Sequence, residues 1–371
     1  MKSFSNLFFA LILAICTISF ADQYREVPKK VGDCYQISTA QELNGFIGIV
    51  NGNFIKQDTL IEFGWYDFVK DSTACGVLTA DIKLVAGEDG WEPFKVFSGT
   101  FDGNGHTISN LGVGGGSYFF DTLVKYSKDN PLVVKNVRWA DAFAKVSSAL
   151  VGETNGDVVL DHIYNEINCG FVLGQSGHLT ISNSYNTGRI SKSGGVFVGK
   201  SLGVVSLKNI YNVGSGATLV GYARDTVSVV NGFSIGDGMK STIVSRYDYQ
   251  GSYSTIEWEN YYYLDTASGS NGGDYGEQFA DGSIALKLRY MNDDGAIWGQ
   301  NVGVDSVPNF SGKITGDHSS TTKVSKITVV SFNGDTTSYP KYYVEGEPSP
   351  FGYVPSQRDG YVFSGWFYNP R

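Results

Sequence analysis

The sequence predicts a mainly β protein whose central part is a right-handed parallel β-helix, a solenoid of stacked coils with an N-terminal helical cap. Three observations predict this class. The composition, with 47 glycines, 23 tyrosines, 23 phenylalanines and 9 prolines in 371 residues, is typical of β-rich proteins with many turns. One amphipathic helix is expected near the start, and from about residue 130 a unit of 21 to 26 residues repeats with strand periodicity. Such repeats are typical of solenoids; a propeller, with blades of about 40 residues, is the rival architecture.

The first 21 residues have the pattern of a secretory signal peptide. Lys2 gives a positive start, residues 7–18 are apolar, and Ser19-Phe20-Ala21 forms a small-x-small cleavage pattern. The alternatives are a membrane anchor and a lipoprotein modified at Cys16. We therefore expect an exported protein of the cell envelope, cell surface or extracellular space, without a membrane span after cleavage. Removing Lys2 from the 28 basic groups leaves 27 against 37 acidic ones, a balance that argues against nucleic acid as a partner.

Three cysteines remain in the mature chain. An exported chain meets an oxidising compartment, so a disulfide is expected. Cys34 and Cys75 flank one compact segment and are predicted to pair, whereas Cys169 occupies an apolar position of a repeat and is predicted to be a buried thiol. The cysteines and histidines show no metal-ligand spacing, so neither a metal nor a cofactor is expected.

One helix is predicted in the N-terminal region. Thr39 is a suitable N-cap, Glu42 three residues later completes a capping box, and Gly52 ends the helix. One face of this helix carries Leu43, Phe46, Ile47 and Val50. An amphipathic helix before a long β region suggests a lid over the open end of the strands.

Each repeat is defined by a glycine and by an aromatic residue 11 or 12 positions later. The pairs are Gly152 and Tyr164, Gly174 and Tyr185, Gly199 and Tyr211, and Gly221 and Phe233. Apolar residues stand six and four positions before each aromatic residue, an alternation that places them on one strand face. Asparagine recurs two positions before and one position after it, with His162 and Ser234 as exceptions. We expect apolar residues to fill the core and asparagines to stack as hydrogen-bonded ladders, with His162 as a ladder member.

Composition and periodicity divide the chain into six segments. They are a signal peptide (1–21), an N-terminal cap region (22–93), the β-helix (94–268), a closing region (269–310), a polar linker (311–323) and a small C-terminal β unit (324–371). The closing region contains a short predicted helix at 281–291 and is expected to cover the last coil.

Two segments resemble known families. The blocks "LVGET", "VLGQS", "FVGKS" and "LVGYA", followed by "IYN", "SYN" or "GFS", resemble the GLUG-motif repeats of bacterial surface and adhesin-like proteins. The preceding "CGVLTADIKL" and "WEPFKVFSGTFDGNGHTISNL" resemble the segment that accompanies such repeats, so this likeness covers residues 34–310.

The C-terminal segment is similar to the Listeria–Bacteroides repeat, also called the internalin B-repeat. Its most specific block is matched by Gly360-Tyr361, Phe363 and Gly365-Trp366-Phe367. The resemblance implies a small β-grasp-like module of cell-envelope proteins that acts as an interaction or spacer unit. The family continues beyond this block, whereas the present sequence stops at Arg371, so the last module is expected to be incomplete or the sequence a fragment.

Catalysis on such a scaffold requires acids or bases aligned in neighbouring repeats. The outward columns of the four repeats contain no pair of acids and run Glu153-Gln175-Lys200-Tyr222, Asp161-Ser182-Lys208-Val230 and Val159-Thr180-Ser206-Ser228. The sequence therefore predicts a non-catalytic protein, not an enzyme, that acts in surface adhesion or in binding of glycan or extracellular protein. The alternatives are a polysaccharide lyase or hydrolase with a site built from the loop acids Asp225, Asp237 and Asp248, and a pure spacer.

Two stretches remain as candidate sites. A ligand-stacking surface is predicted at Tyr253, Trp258, Tyr261 and Tyr263, although half of these rings are equally suited to lining the last coil. The stretch "FDGNGHTISNL" groups Asp102, Asn104 and His106 around two glycines. It lacks the glycine and glutamate positions of a calcium loop, and its Asp-Gly and Asn-Gly pairs predict a tight turn.

Overall fold

The structure is a computed structural model, and its two compact units are Met1–Tyr275 and Gly276–Arg371. It describes residues 26–52, 70–84, 92–111, 118–141, 149–190, 194–215, 218–235, 243–247, 255–264, 276–292 and 294–316, with the backbone of short strands elsewhere. The predicted signal peptide, Tyr253, Asp237, Asp248 and the block at 360–367 lie outside the described residues.

The first unit is built on one sheet of 16 strands, in which every described pairing after β1–β2 is parallel. Its strands are β1 (Lys29–Val31), β2 (Cys34–Ile37), β5 (Cys75–Leu78), β6 (Ile82–Lys83), β7 (Thr100–Asp102), β8 (Thr107–Ser109), β9 (Phe120–Lys125), β10 (Leu132–Ala140), β11 (Ala149–Asn165), β12 (Gly170–Asn186), β13 (Gly195–Ser201), β14 (Val204–Asn212), β15 (Thr218–Ala223), β16 (Val227–Ser234), β17 (Val244–Tyr247) and β18 (Ile256–Tyr263). A separate antiparallel pair joins β3 (Ile55–Lys56) to β4 (Trp65–Tyr66). The prediction of a mainly β chain is confirmed, and the sheet is mostly parallel.

The repeats pair with each other in the predicted order. Tyr164 lies beside Tyr185, Tyr185 beside Tyr211, and Tyr211 beside Phe233. The glycine alignment is wrong by one position in the second repeat, because Glu153 pairs with Gly174 and Gly174 pairs with Lys200. The second repeat has its glycine one position later than the other repeats, where the neighbouring strands carry Glu153 and Lys200.

The core is formed by the apolar residues that alternate along the repeat strands. Each of the predicted positions is at most 2% exposed: Val158, Leu160, Leu179, Ile181, Val205, Leu207, Val227 and Val229. The same columns continue into β10 through Leu132 and Val134. Burial of such stacked aliphatic columns is the main stabilising contribution to a parallel sheet, since each fully buried side chain contributes about 1.5–3 kcal/mol.

The N-terminal helix α1 spans Ala40–Asn51 and has the predicted capping box. The Thr39 hydroxyl accepts from the backbone N–H of Glu42, and Gly52 ends the helix in left-handed backbone at φ 75°. Phe46 carries the contact with the sheet, with ring centroids 5.7 Å from Phe94 and 6.4 Å from Phe97. Its ring also lies 2.6 Å from where a Cβ on Gly76 would stand, so only glycine fits there.

The predicted disulfide is present. Cys34 of β2 and Cys75 of β5 are directly paired residues of neighbouring parallel strands, and their sulfurs are bonded. Cys169 is a free thiol and is buried, as predicted, and burial raises its pKa to about 12. A thiol with such a pKa stays protonated near neutrality and is not a nucleophile.

The second unit begins with two short helices, α2 (Gly276–Ala280) and α3 (Ser283–Tyr290), the latter inside the predicted helix at 281–291. A 3₁₀ turn, Gly295–Ile297, leads to Trp298, which is fully buried against Phe310. Its strands are β19 (Gln300–Asn301), β20 (Ile314–Thr315), β21 (Val324–Lys326), β22 (Val329–Val330), β23 (Thr336–Thr337) and β24 (Tyr342–Val344). β20, which pairs with β19, lies within the predicted linker at 311–323. Within the described residues, no helix has the length and apolarity needed to cross a membrane.

Candidate functional site

Two hydrogen-bonded asparagine ladders run along the repeats. In the inner ladder, Asn165 donates to Asn186 and Asn186 donates to Asn212, each over 2.8 Å, and all three are fully buried. Each also donates to a turn carbonyl, as Asn186 does to Gly188 over 2.8 Å. These amides are therefore satisfied within the protein, which assigns this ladder to stability and leaves it no capacity for a ligand.

The outer ladder occupies a position of left-handed backbone. Asn183, Asn209 and Asn231 have φ of 49°, 48° and 63°, and each later asparagine donates its amide to the preceding one over 3.0 and 2.6 Å. Asparagine is enriched in this backbone region because its short polar side chain tolerates it. His162 holds the same place in the first repeat at φ 53°, so an imidazole replaces the amide at this end of the ladder.

Asp161, next to His162, makes the hydrogen bonds that replace the asparagine ladder in the first repeat. Its Oδ2 lies 2.8 Å from Nδ1 of His162, and its Oδ1 accepts from Ser182 over 2.6 Å and from Asn183 over 2.8 Å. Asn183 therefore donates to the carboxylate of Asp161 instead of to His162, which holds the ladder position in the preceding repeat. The prediction that His162 is a satisfied ladder member is correct in position, but its partner is an acid outside the ladder.

The charge of Asp161 follows from these contacts. Partial burial acts to raise the pKa of Asp161, but the hydrogen bonds from His162, Ser182 and Asn183 outweigh it and lower the pKa to about 2. Asp161 is thus an anion near neutrality, and it lies within hydrogen-bonding distance of Nδ1 of His162. The side chain of His162 is 35% exposed, so a solute can reach it.

Asp161 also belongs to an outward row that crosses five strands. This row, called here the acid–base row, consists of Asp102, Lys135, Asp161, Ser182 and Lys208. The four repeats contribute a single acid to this column, and β7 and β10 extend it beyond the recognisable repeats and add Asp102. The two carboxylates are separated by Lys135, whose Nζ lies 3.2 Å from Oδ2 of Asp102, so they are not a directly adjacent pair.

A stack of aromatic rings runs beside the ladders. Ring centroids are 4.8 Å apart between Tyr164 and Tyr185 and 4.9 Å apart between Tyr185 and Tyr211, with nearly parallel planes. Tyr185 donates its hydroxyl to Glu166 over 2.7 Å, and burial raises its pKa. Tyr185 and Tyr211 are buried, whereas Tyr164 at the start of the stack is partly buried, so most of this stack stabilises the fold.

The predicted ligand-stacking surface is only partly formed. Trp258 is 65% exposed, between the exposed side chains of Glu257 and Glu259. Tyr261, in contrast, is 8% exposed and belongs to the core, so its place in that surface is wrong. Tyr263 is half-buried with its ring 6.3 Å from that of Tyr261. Tyr261 is buried because it lies on the inward face of β18. It pairs with Gly232, and Gly232 pairs with Ile210, which is also buried.

The exposure of Trp258 results from its place in the sheet. It pairs with Val229, and Val229 and Leu207 before it are fully buried in the core. Trp258 is thus the last described member of a core column and leaves its indole open to solvent. An exposed indole with polar groups on both sides is the kind of ring that stacks on sugars or partner side chains.

The glycine-rich stretch at 101–107 is a turn between β7 and β8. Asp102 accepts the backbone N–H of Asn104 over 2.8 Å, and Asn104 and Gly105 hold left-handed backbone at φ 50° and 82°. His106 lies 3.2 Å from Asp81, which also accepts the N–H of Thr107; these contacts lower the pKa of Asp81. The polar side chains of this stretch are therefore occupied in closing the turn.

Comparisons with known proteins leave the family of the chain open. No protein-family model matches the chain, and no curated protein matches it. A crystal structure described as a putative immunoglobulin A1 protease from Bacteroides ovatus is similar over 75% of this chain and 92% of its own, with a TM-score of 0.43 and 16% identity. Because this structural neighbour is described as a putative protease, it contradicts the prediction that the chain is not an enzyme, and that prediction is withdrawn. The likeness is too distant to carry an activity to this chain.

The Asp161–His162 pair was missed as a site by sequence reasoning. Its signal was present, because histidine replaces asparagine in one repeat and follows an acid there. The hydrogen bonds that link Asp161 to the next strand could not be derived from spacing alone, since they depend on the register of β11 against β12.

Proposed function

We propose that the chain is an exported protein of the cell envelope, built as a right-handed parallel β-helix of GLUG-like repeats, that binds glycan or protein at the cell surface. The observation that carries this proposal is Trp258, an indole 65% exposed at the end of an otherwise buried column. The stacked parallel repeats, the asparagine ladders and the disulfide support the architecture and the export. The Listeria–Bacteroides-like segment adds an interaction or spacer module.

Binding can be tested by affinity electrophoresis in gels that contain a neutral β-glucan or polygalacturonate. We expect the wild-type chain to be retarded by at least one polysaccharide and Trp258→Ala to migrate freely, because the indole supplies the stacking face. Tyr126→Ala is the matched control, since Tyr126 follows directly after β9 and is 80% exposed. Equal retardation of wild type and Trp258→Ala would remove Trp258 from the binding surface.

A second candidate function, a polysaccharide lyase or hydrolase, is favoured by the Asp161–His162 pair. Asp161 contacts Nδ1 of the imidazole, and the partly exposed His162 is the candidate general base. Lys135 and Lys208 occupy the same row one and two strands away, where they would face the charge of an acidic polysaccharide.

The catalytic hypothesis has a specific variant. His162→Asn installs the residue that the other repeats carry at the same left-handed position, so the fold is expected to be retained. Assays for new reducing ends and for unsaturated sugar ends should then show turnover by the wild type and at least a hundredfold loss in His162→Asn. Turnover that survives in His162→Asn would exclude His162 as the base.

A further inference from the structure

β18 lies at an edge of the large sheet. Among the described strands it pairs with β16 alone. The carbonyl of Thr255, just before β18, accepts the N–H of Val227 over 2.8 Å and therefore faces β16. Because the backbone groups of successive residues alternate in direction along a strand, the N–H and C=O groups of Ile256 and Trp258 point away from β16. These groups are placed to pair with a further strand.

Only the first half of this edge is uncovered. Glu257, Trp258 and Glu259 are exposed and Ile256 is half-buried, whereas Tyr261 is 8% exposed. The segment 256–259, called here the open edge, therefore joins unpaired backbone to accessible side chains. An occupant that uses both must be a short, extended segment of polypeptide.

The two faces of the open edge differ in chemistry. Glu257 pairs with Ser228 and Glu259 pairs with Val230, so both glutamates continue outward columns of the sheet. Trp258 lies between them in a core column and has its indole 65% exposed. A strand added here would meet two carboxylates on one face and an indole on the other, because side chains alternate along a strand.

The charge of the open edge selects among possible occupants. No ion pair of the described residues includes Glu257 or Glu259. A second copy of the chain is a poor occupant: in an antiparallel pair centred on Trp258, Glu257 of one copy would lie opposite Glu259 of the other, and like charges directly opposite are destabilising. A basic segment is favoured instead, and the net charge of −9 would attract it from solution.

We propose that the open edge binds an extended basic segment of a partner protein by strand addition. Lysine or arginine of the partner lies opposite Glu257 and Glu259, and an apolar residue between them covers Trp258. The main chain of the segment pairs with the backbone of Ile256 and Trp258, and its basic–apolar–basic alternation gives the specificity. This inference rests on the proposed binding function and names protein, not glycan, as the partner at Trp258.

The test is isothermal titration of the full chain at low salt with an acetylated and amidated pentapeptide that alternates lysine and valine. Two further peptides are N-methylated either at the valines or at the lysines, so that those amides cannot donate. We expect one N-methylation to weaken binding about tenfold more than the other, because only alternate amides of an added strand face β18. Equal affinities of the two N-methylated peptides would overturn strand addition.

Charge reversal locates the site. Glu257→Lys/Glu259→Lys should weaken binding of the lysine peptide about tenfold and should bind a glutamate–valine pentapeptide more tightly than the lysine one. Asp129→Lys/Glu153→Lys makes the same change in net charge at exposed positions of the first unit and should stay within about twofold of the wild type. Glu257→Gln/Glu259→Gln, which adds no repulsion, should weaken the lysine peptide about fivefold, and it serves if the reversed variant does not fold.

The outcomes separate this inference from the proposed function. If the lysine peptide binds the wild type and the two glutamate variants alike, the site is not at the open edge and the inference is overturned. If no peptide binds, while a polysaccharide retards the wild type and not Trp258→Ala, strand addition is overturned and the proposed function stands as glycan binding. If neither peptide nor polysaccharide binds, both are overturned.

Discussion

Nδ2 of Asn231 donates to Oδ1 of Asn209 over 2.6 Å, and both residues hold left-handed backbone, at φ of 63° and 48°. One residue type thus meets two demands of every repeat. Asparagine tolerates this backbone region, and its amide both donates and accepts, so the contact can be repeated from strand to strand.

Removing one ladder member should therefore be costly. Asn209→Ala leaves the amide of Asn231 without its acceptor. Alanine must also adopt left-handed backbone at φ 48° with no side-chain hydrogen bond to compensate. We therefore expect the free energy of unfolding to fall by about 3 kcal/mol. Asn209→Gly keeps the backbone unstrained, so its free energy of unfolding should fall by only about 1–2 kcal/mol. Urea denaturation followed by circular dichroism measures both; equal losses in the two variants would contradict the backbone contribution.

The Cys34–Cys75 disulfide closes a loop with a sequence separation of 41 residues. The chain-entropy model predicts that it stabilises the fold by about 4 kcal/mol. Addition of a reductant should accordingly lower the melting temperature of the wild type to that of the Cys34→Ser/Cys75→Ser double variant. The double variant itself should be insensitive to reductant, and a reductant-dependent shift in it would point to a different thiol.

Asp161 should make stability depend on acid pH. Its folded pKa of about 2 lies below the ordinary value of 3.8, because hydrogen bonds from His162, Ser182 and Asn183 outweigh the effect of burial. The contribution is therefore complete above pH 3.8 and is lost as the pH falls from 3.8 towards 2. Since 28% of the side chain is exposed, solvent screening reduces this contribution to about 1 kcal/mol.

Asp161→Asn checks this dependence. Free energies of unfolding measured from about pH 5 down to about pH 2 should fall less steeply in the variant than in the wild type. Asp129→Asn, at an exposed position of the same unit, should follow the wild type. Parallel curves for wild type and Asp161→Asn would show that the carboxylate does not contribute.

The turn at 101–107 should depend on its glycines more than on its polar side chains. A Cβ on Gly103 would lie 2.4 Å from both the carbonyl of Asn136 and Cβ of Val137, so Gly103→Ala should destabilise by about 2–3 kcal/mol. Gly105→Ala has open space but a φ of 82° and should lose about 1–2 kcal/mol. His106→Ala should lose less than either, and a larger loss would show that the Asp81 contact dominates. Thermal denaturation ranks the three variants.

Much of the first unit could be predicted because its physical causes are local. Period-two alternation places Leu160 and Ile181 on the buried face, and the spacing of Tyr164, Tyr185 and Tyr211 places those rings in one stack. The capping box at Thr39 and the pairing of Cys34 with Cys75 were equally accessible, since each depends on short segments with distinct chemistry.

The remaining features depend on the register between paired strands and on whether a further strand covers a given residue. Gly174 was aligned one position early because glycine recurs at nearly the same spacing in every repeat, and only the pairing with Glu153 and Lys200 places it one position later. Tyr261 and Trp258 are three residues apart in an aromatic cluster, yet one is buried and the other exposed.

The sequence by itself therefore determined the secondary structure type, the buried columns and the ladders, because alternation and repeat length act along the chain. Only the tertiary structure decided which side chains meet across strands: Asp161 with Ser182, and Lys135 with Asp102. Those contacts join residues that are distant in sequence, and a shift of one residue in register would exchange their faces.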